Sequence, residues 1–193
     1  NLANLHDENF LENPDLLLSI IKEKDISEYQ PDLLITFGSH VVSKKLKQFL
    51  KNIPPREHWH IDENNFYADT YLNLTENIGV SAVSFFSSFS VEKLSNPESS
   101  FSLVWKKLLS EAEKQSQTFL NDCEYSDLKV FEILSKRIPG SGILCMGNSS
   151  PIRYFQYFQS QPDLKYYANR GTSGIDGAVS TAAGYAYSSQ KPV

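Results

Sequence analysis

Cysteine is scarce: the 193 residues contain two, Cys123 and Cys145, far apart and outside any CxxC pair. A disulfide framework is therefore not expected to hold the fold, and the expected compartment is the reducing cytoplasm. Long apolar runs are missing too. No stretch approaches the ~20 residues that cross a bilayer, and no signal peptide opens the chain, so no integral membrane segment is expected. Basic charge is not in excess, since 18 Lys and Arg face 23 Asp and Glu for a net charge of −5, without long blocks of either sign. That sets aside a nucleic-acid partner, which needs a basic patch to displace counterions, but leaves a local anion pocket open. There is no internal repeat and no low-complexity segment. The GxSxG elbow of serine hydrolases, the dinucleotide-binding GxGxxG and the Walker pattern with its lysine are all absent.

What is present is ordinary globular composition, 40% hydrophobic and 21% charged, in a chain long enough to bury roughly 70% of its unfolded surface. Asn13-Pro14 predicts a helix start, with Leu16, Leu17, Ile20 and Ile21 on one face. LLITF (33–37) predicts a buried strand, Gly38-Ser39 a turn, and 41–53 a helix with Val42, Leu46, Phe49, Leu50 and Ile53 along one stripe, ended by Pro54-Pro55. EHWHID (57–62) reads as a further strand. Residues 81–90 predict a short helix with Val83, Phe86 and Phe89 inward, 95–100 a loop, and 101–121 a long helix with Phe101, Val104, Leu108, Ala112 and Phe119 roughly on one face. A second unit follows: helix 126–137, strand 143–146, helix 152–159, strand 164–168 and helix 176–188. Alternating strands and helices give the expected class, α/β, three-layer, with a mainly parallel sheet and the start of a second α/β domain.

Two loops of the second unit share a form. GNSSPIR (147–153) and NRGTSGIDG (169–177) each follow a strand, carry Gly, Ser and Asn, supply an arginine and lead into a helix. In open α/β sheets ligands bind beyond the carboxyl ends of strands, where helix N-termini suit anions. Arg153 and Arg170 suit a carboxylate or phosphate bidentately, and Ser149 adds a hydroxyl. Gly171, Gly174 and Gly177 are expected to permit positive φ and close approach of backbone to a ligand. Tight packing alone also accounts for a glycine-rich turn, and a lone arginine is ordinarily solvated. It is the pairing of two such loops on consecutive strands that favours a ligand site.

Other candidates are weaker. His58 and His60 share one face of a strand, the spacing of two metal ligands; no Cys or further His lies nearby, though Asp62 and Glu63 do, and a structural or surface role is the simpler reading. His40 is a candidate cap for the following helix. Tyr154, Phe155, Tyr157 and Phe158 read as helix packing, with a subunit contact as the alternative. Lys44, Lys45, Lys47 and Lys51 read as a solvated face, with an anion-binding regulatory patch as the other choice.

NRGTSGIDGAVSTAAG, GNSSPIR, PDLLITFGSHVVSKKLKQFL and HWHIDENNFYADTY together resemble, in the same order and over most of the chain, the thiamine-diphosphate-dependent synthase of menaquinone biosynthesis, the MenD family. The resemblance implies an enzyme that uses thiamine diphosphate and Mg²⁺, decarboxylates 2-oxoglutarate and adds the succinyl carbanion to isochorismate, as a homo-oligomer, dimer or tetramer. It implies that Ser149, Arg153 and Arg170 bind substrate carboxylates and that Ile175 supports the bent cofactor. It implies residues 1–122 as a truncated central domain and 123–193 as the beginning of the diphosphate-binding domain. Ser150 and Tyr154 depart from the family pattern, where a larger apolar and an acidic residue are common. The GDG motif that holds Mg²⁺ and the diphosphate is absent, and the activating glutamate belongs to an N-terminal domain. With a start at Asn1 and an end at Val193, the expectation is a fragment that is inactive alone, with no catalytic residue, no metal ligand and no bound cofactor of its own. Two other readings stay open: another thiamine-dependent 2-oxoacid decarboxylase or carboligase, and a non-catalytic α/β binding or assembly module.

Overall fold

A computed structural model describes residues 3–7, 9–38, 40–89, 99–189 and 193. Ser39 of the expected turn, Ser90 and residues 95–98 of the expected loop lie outside the described residues. The chain forms two compact units, one of Leu17–Ala112 and one of Asn1–Leu16 with Glu113–Val193. Both are α/β units whose strands pair in parallel.

In the Leu17–Ala112 unit, β1 (Leu33–Phe37), β2 (Glu57–Ile61) and β3 (Glu76–Ile78) form one sheet with β2 in the centre. Register is fixed by Leu33 opposite Glu57 through Phe37 opposite Ile61. β2 carries the burial expected of a central strand, with His58, His60 and Ile61 buried. β1 differs from expectation: Leu33 and Phe37 at its ends are exposed, because it is an edge strand of the described sheet rather than a covered one. Gly38, at φ 76°, turns the chain out of β1 in a region that only glycine enters without strain.

Helix α1 spans Pro14–Ile20, with Asn13 ahead of its proline, and α2 spans Lys44–Asn52. In α2 the apolar positions at spacings of three and four put Leu46, Phe49 and Leu50 against the core, while Lys44, Lys45 and Lys51 face outward. Phe49, Leu50 and Tyr71 centre that core, with Leu18, Ile26, Tyr29, Leu34, Ile53 and Trp105 packed against them. The cap of α2 is Ser43 and not His40: Ser43 Oγ accepts from the Leu46 amide at 2.9 Å, while His40 is exposed. A short side-chain oxygen directly before the first turn meets an orphan amide as an imidazole three residues further back does not. Helix α3 is Ala82–Ser87. Its Val83 is 77% exposed instead of inward, and Phe86 and Phe89 are only partly covered, Phe86 lying edge-on to Phe37 at 5.3 Å.

Helix α4 runs from Ser100 to Asp122. It buries Leu108, Ala112 and Leu120, whereas Phe119 is 61% exposed and Phe101 stays partly exposed. The inward stripe is thus displaced by one residue at its end. In the second unit, α5 (Asp127–Arg137) is capped by Ser126 and leads to β4 (Gly142–Met146). After β4 come α6 (Ser150–Tyr154), a 3₁₀ turn at Phe155–Tyr157, β5 (Leu164–Ala168) and α7 (Ala178–Ser189). The helix expected over 152–159 is therefore a five-residue helix and a 3₁₀ turn. Phe131 of α5 stacks on Tyr154 at 5.1 Å and meets Phe155 edge-on at 5.2 Å, the packing role read for these aromatics. β4 and β5 pair from Gly142 opposite Leu164 to Met146 opposite Ala168. The Asn4 side chain runs along β5 as another backbone would, donating to the Tyr166 carbonyl at 3.1 Å and accepting from the Tyr166 amide at 2.7 Å.

Candidate functional site

Because β4 and β5 are parallel neighbours ending level at Met146 and Ala168, the loops that follow them emerge side by side at the carboxyl edge of the sheet. This is where an α/β fold offers backbone and side chains to a ligand. Gly147, Asn148 and Ser149 come from the first loop and Asn169 to Gly177 from the second.

Asn148 is 7% exposed and joins the two loops. Its amide nitrogen donates to the carbonyls of Asn169 and Gly174, each at 2.6 Å, and its oxygen accepts from Arg170 Nη1 at 2.7 Å. Arg170 is half-buried, and its Nε is buried with no hydrogen-bond partner. A guanidinium held at one nitrogen and unsatisfied at another is prepared for an anionic acceptor, since a buried unpaired donor is costly.

Ser149 follows directly, with φ 70° and ψ −119°. This is a strained conformation for a residue with a Cβ, and such strain gathers at functional positions. It leaves Ser149 exposed and its hydroxyl without a capping bond to α6. Arg153, four residues on in α6, is exposed. With only five residues, α6 offers little helix dipole, so charge at this edge comes chiefly from the arginines.

The second loop departs from the glycine expectation. Gly177 takes positive φ, 81°, but Ser173 at 57° is the other residue of this loop to do so, and Gly171 and Gly174 do not. A Cβ at Gly171 would meet nothing within 4 Å, so that position borders open space and no packed neighbour requires a glycine there. Asn169 Nδ2 donates to Thr181 Oγ1 at 3.1 Å, tying the loop to α7. Ile175 is 72% exposed, an apolar side chain presented outward at the loop's end.

Sequence reading selected Ser149, Arg153, Arg170 and Ile175. It missed Asn148, although the residue stands in the quoted GNSSPIR string, because its partners lie 21, 22 and 26 residues away. The available signal was an amide side chain at a strand end in line with a second polar loop.

His58 and His60 are buried and share one hydroxyl: Thr36 Oγ1 lies 2.9 Å from His58 Nε2 and 3.0 Å from His60 Nδ1. Burial, reinforced by nearby His60 and opposed by Asn73 and Asp69, pushes the His58 pKa down. Among the described residues no group of three or more His, Cys, Asp or Glu side chains gathers where it could hold a metal ion. In the other unit Glu12 bonds His6 Nδ1 at 2.9 Å and the Ser160 hydroxyl with its second oxygen. Serine and histidine thus meet the carboxylate and not each other, which is no nucleophile–base pair. No described helix is long and apolar enough to cross a membrane.

The family profile described as the middle domain of thiamine pyrophosphate enzymes matches residues 5–146. The 2-succinyl-5-enolpyruvyl-6-hydroxy-3-cyclohexene-1-carboxylate synthase of Flavobacterium psychrophilum is 40% identical over 192 residues, covering 98% of this chain and 34% of that protein. The synthases of the same name from Christiangramia forsetii and Desulfotalea psychrophila are 41% and 32% identical, covering 99% and 100% of this chain and 34% of each protein. The chain thus spans about a third of the length of these curated relatives. It belongs to the family of thiamine pyrophosphate enzyme middle domains and is a homologue of the MenD synthases.

Proposed function

We propose that this chain supplies the substrate-carboxylate grip of a MenD-type synthase, which decarboxylates 2-oxoglutarate and joins the remaining four-carbon unit to isochorismate. The observation that carries this reading is Arg170, fixed through Nη1 by Asn148 with Nε buried and unpaired, beside the exposed hydroxyl of Ser149. Both substrates are carboxylates. Arg170 and Arg153 bind them as planar cations, and Ser149 donates its hydroxyl.

Thiamine diphosphate, when bound, supplies the electron sink for decarboxylation. Of the described residues, exposed Ile175 fits the apolar support of its rings, while no described carboxylate cluster fits Mg²⁺. The chain's own work is to bind and orient substrate. By itself the 193-residue chain is expected to turn over neither substrate. In domain terms, residues 1–122, ending with α4, act as the central domain, and 123–193 begin the cofactor-binding domain of a cytoplasmic homo-oligomer.

The test uses the full-length protein that carries this chain. Arg170→Ala and Arg153→Ala are each expected to raise KM for a carboxylate substrate about tenfold to a hundredfold, the effect of losing a charge-assisted hydrogen bond, with thermal stability little changed. Unchanged kinetics in both variants overturns the assignment. Consumption of pyruvate in place of 2-oxoglutarate makes it a different thiamine-dependent carboligase, and carboxylate binding without turnover makes it a binding module.

A further inference from the structure

We propose that Asn148 is the positioning residue of this carboxylate site, setting Arg170 and Ser149 in register with each other; the inference rests on the reading of the site given above. Both of its amide hydrogens go to carbonyls of the second loop and its oxygen accepts from Arg170. The two carbonyls it binds, Asn169 and Gly174, bracket residues 170–173, so one side chain closes that segment into a fixed loop. Its oxygen holds Arg170 Nη1, which sets the rotation of the guanidinium and leaves the buried Nε as the donor awaiting an acceptor. The same residue is joined by one peptide bond to Ser149, whose strained backbone persists only where its surroundings over-determine it. Asparagine suits this task by its mixed character: two donors for two carbonyls and one acceptor for a cation. Aspartate of equal size would set a carboxylate against both carbonyls and neutralise Arg170.

The experiment is a double-mutant cycle in the full-length protein, with 2-oxoglutarate as the probe. Asn148→Ala is expected to raise KM about tenfold or more, with a smaller change in kcat, and to cost clearly less than that once Arg170 is already alanine, the remainder being its hold on Ser149. Asn148→Asp, which keeps side-chain volume, is expected to raise KM as well, and it decides the matter if the alanine variant does not fold. A purely structural Asn148 gives the same fold-loss in both backgrounds. That additive result overturns the inference, as does an unchanged KM in the folded aspartate variant or failure of both variants to fold. If Arg170→Ala itself has wild-type kinetics, the carboxylate reading falls and takes this inference with it. If Arg170→Ala is impaired while Asn148→Ala is additive, only the inference falls.

Discussion

At the scale of single residues, the behaviour under acid is set by two buried or nearly buried groups in different units. Thr36 has one hydroxyl hydrogen and three neighbours, the His58 ring, the His60 ring and the Trp59 carbonyl, so at most one of the two rings can accept from it. The His58 pKa is lowered in the fold by burial first of all. The unfolded chain then takes up the proton first as pH falls, and stability declines below about pH 6.5, the ordinary imidazole value, until the depressed folded pKa is passed. His58→Gln is expected to be less stable at pH 8 yet flatter between pH 6.5 and 5, as read from thermal melts. Equal slopes in the two proteins would remove His58 as the cause. Glu132 acts lower: Lys136 and then Lys129 hold its carboxyl below the usual range. Its contribution is present above about pH 4.3 and is lost as pH falls through the depressed value. Glu132→Gln should abolish that second, more acidic decline and leave the first in place.

At the scale of elements, α2 shows how far local pattern reaches. Its stripe of Leu46, Phe49 and Leu50 was legible because a period of three and four admits one inward face. Leu50→Ala is expected to cost about 2–5 kcal/mol as a cavity, and Ser43→Ala about 1 kcal/mol as a lost cap, both measurable by denaturant unfolding. Where two apolar residues are adjacent, pattern stops deciding. Phe119 and Leu120 both fit the end of α4, and burial selects the leucine. Val83 satisfied a helical stripe, but a six-residue helix has too few turns for its period to choose a face. The exposed ends of β1 follow from strand order, which no property of LLITF encodes. In the site, the residue types of the two loops were legible and the clamp between them was not, since it depends on a side chain meeting backbone more than twenty residues away.

At the scale of the molecule, α7 has no buried residue, and Ile175, Val179 and Tyr187 stand out from the loop and helix with their apolar surface uncovered. Scattered apolar residues are common on surfaces, and Val179, near the start of α7, tests whether these are covered in the full-length protein. Val179 is 84% exposed, so Val179→Asp should change the stability of the isolated chain by no more than about 0.5 kcal/mol. In the full-length protein the same substitution is expected to lower the melting temperature; neutrality in both settings would show that Val179 stays exposed. The edge of β5 has a different fate. Asn4 already satisfies both backbone groups of Tyr166, so a newcomer strand extending the sheet at that point must first evict a side chain bound at two places. Asn4→Ala would unlock that edge, and its first symptom should be self-association at high concentration, before any loss of folded structure.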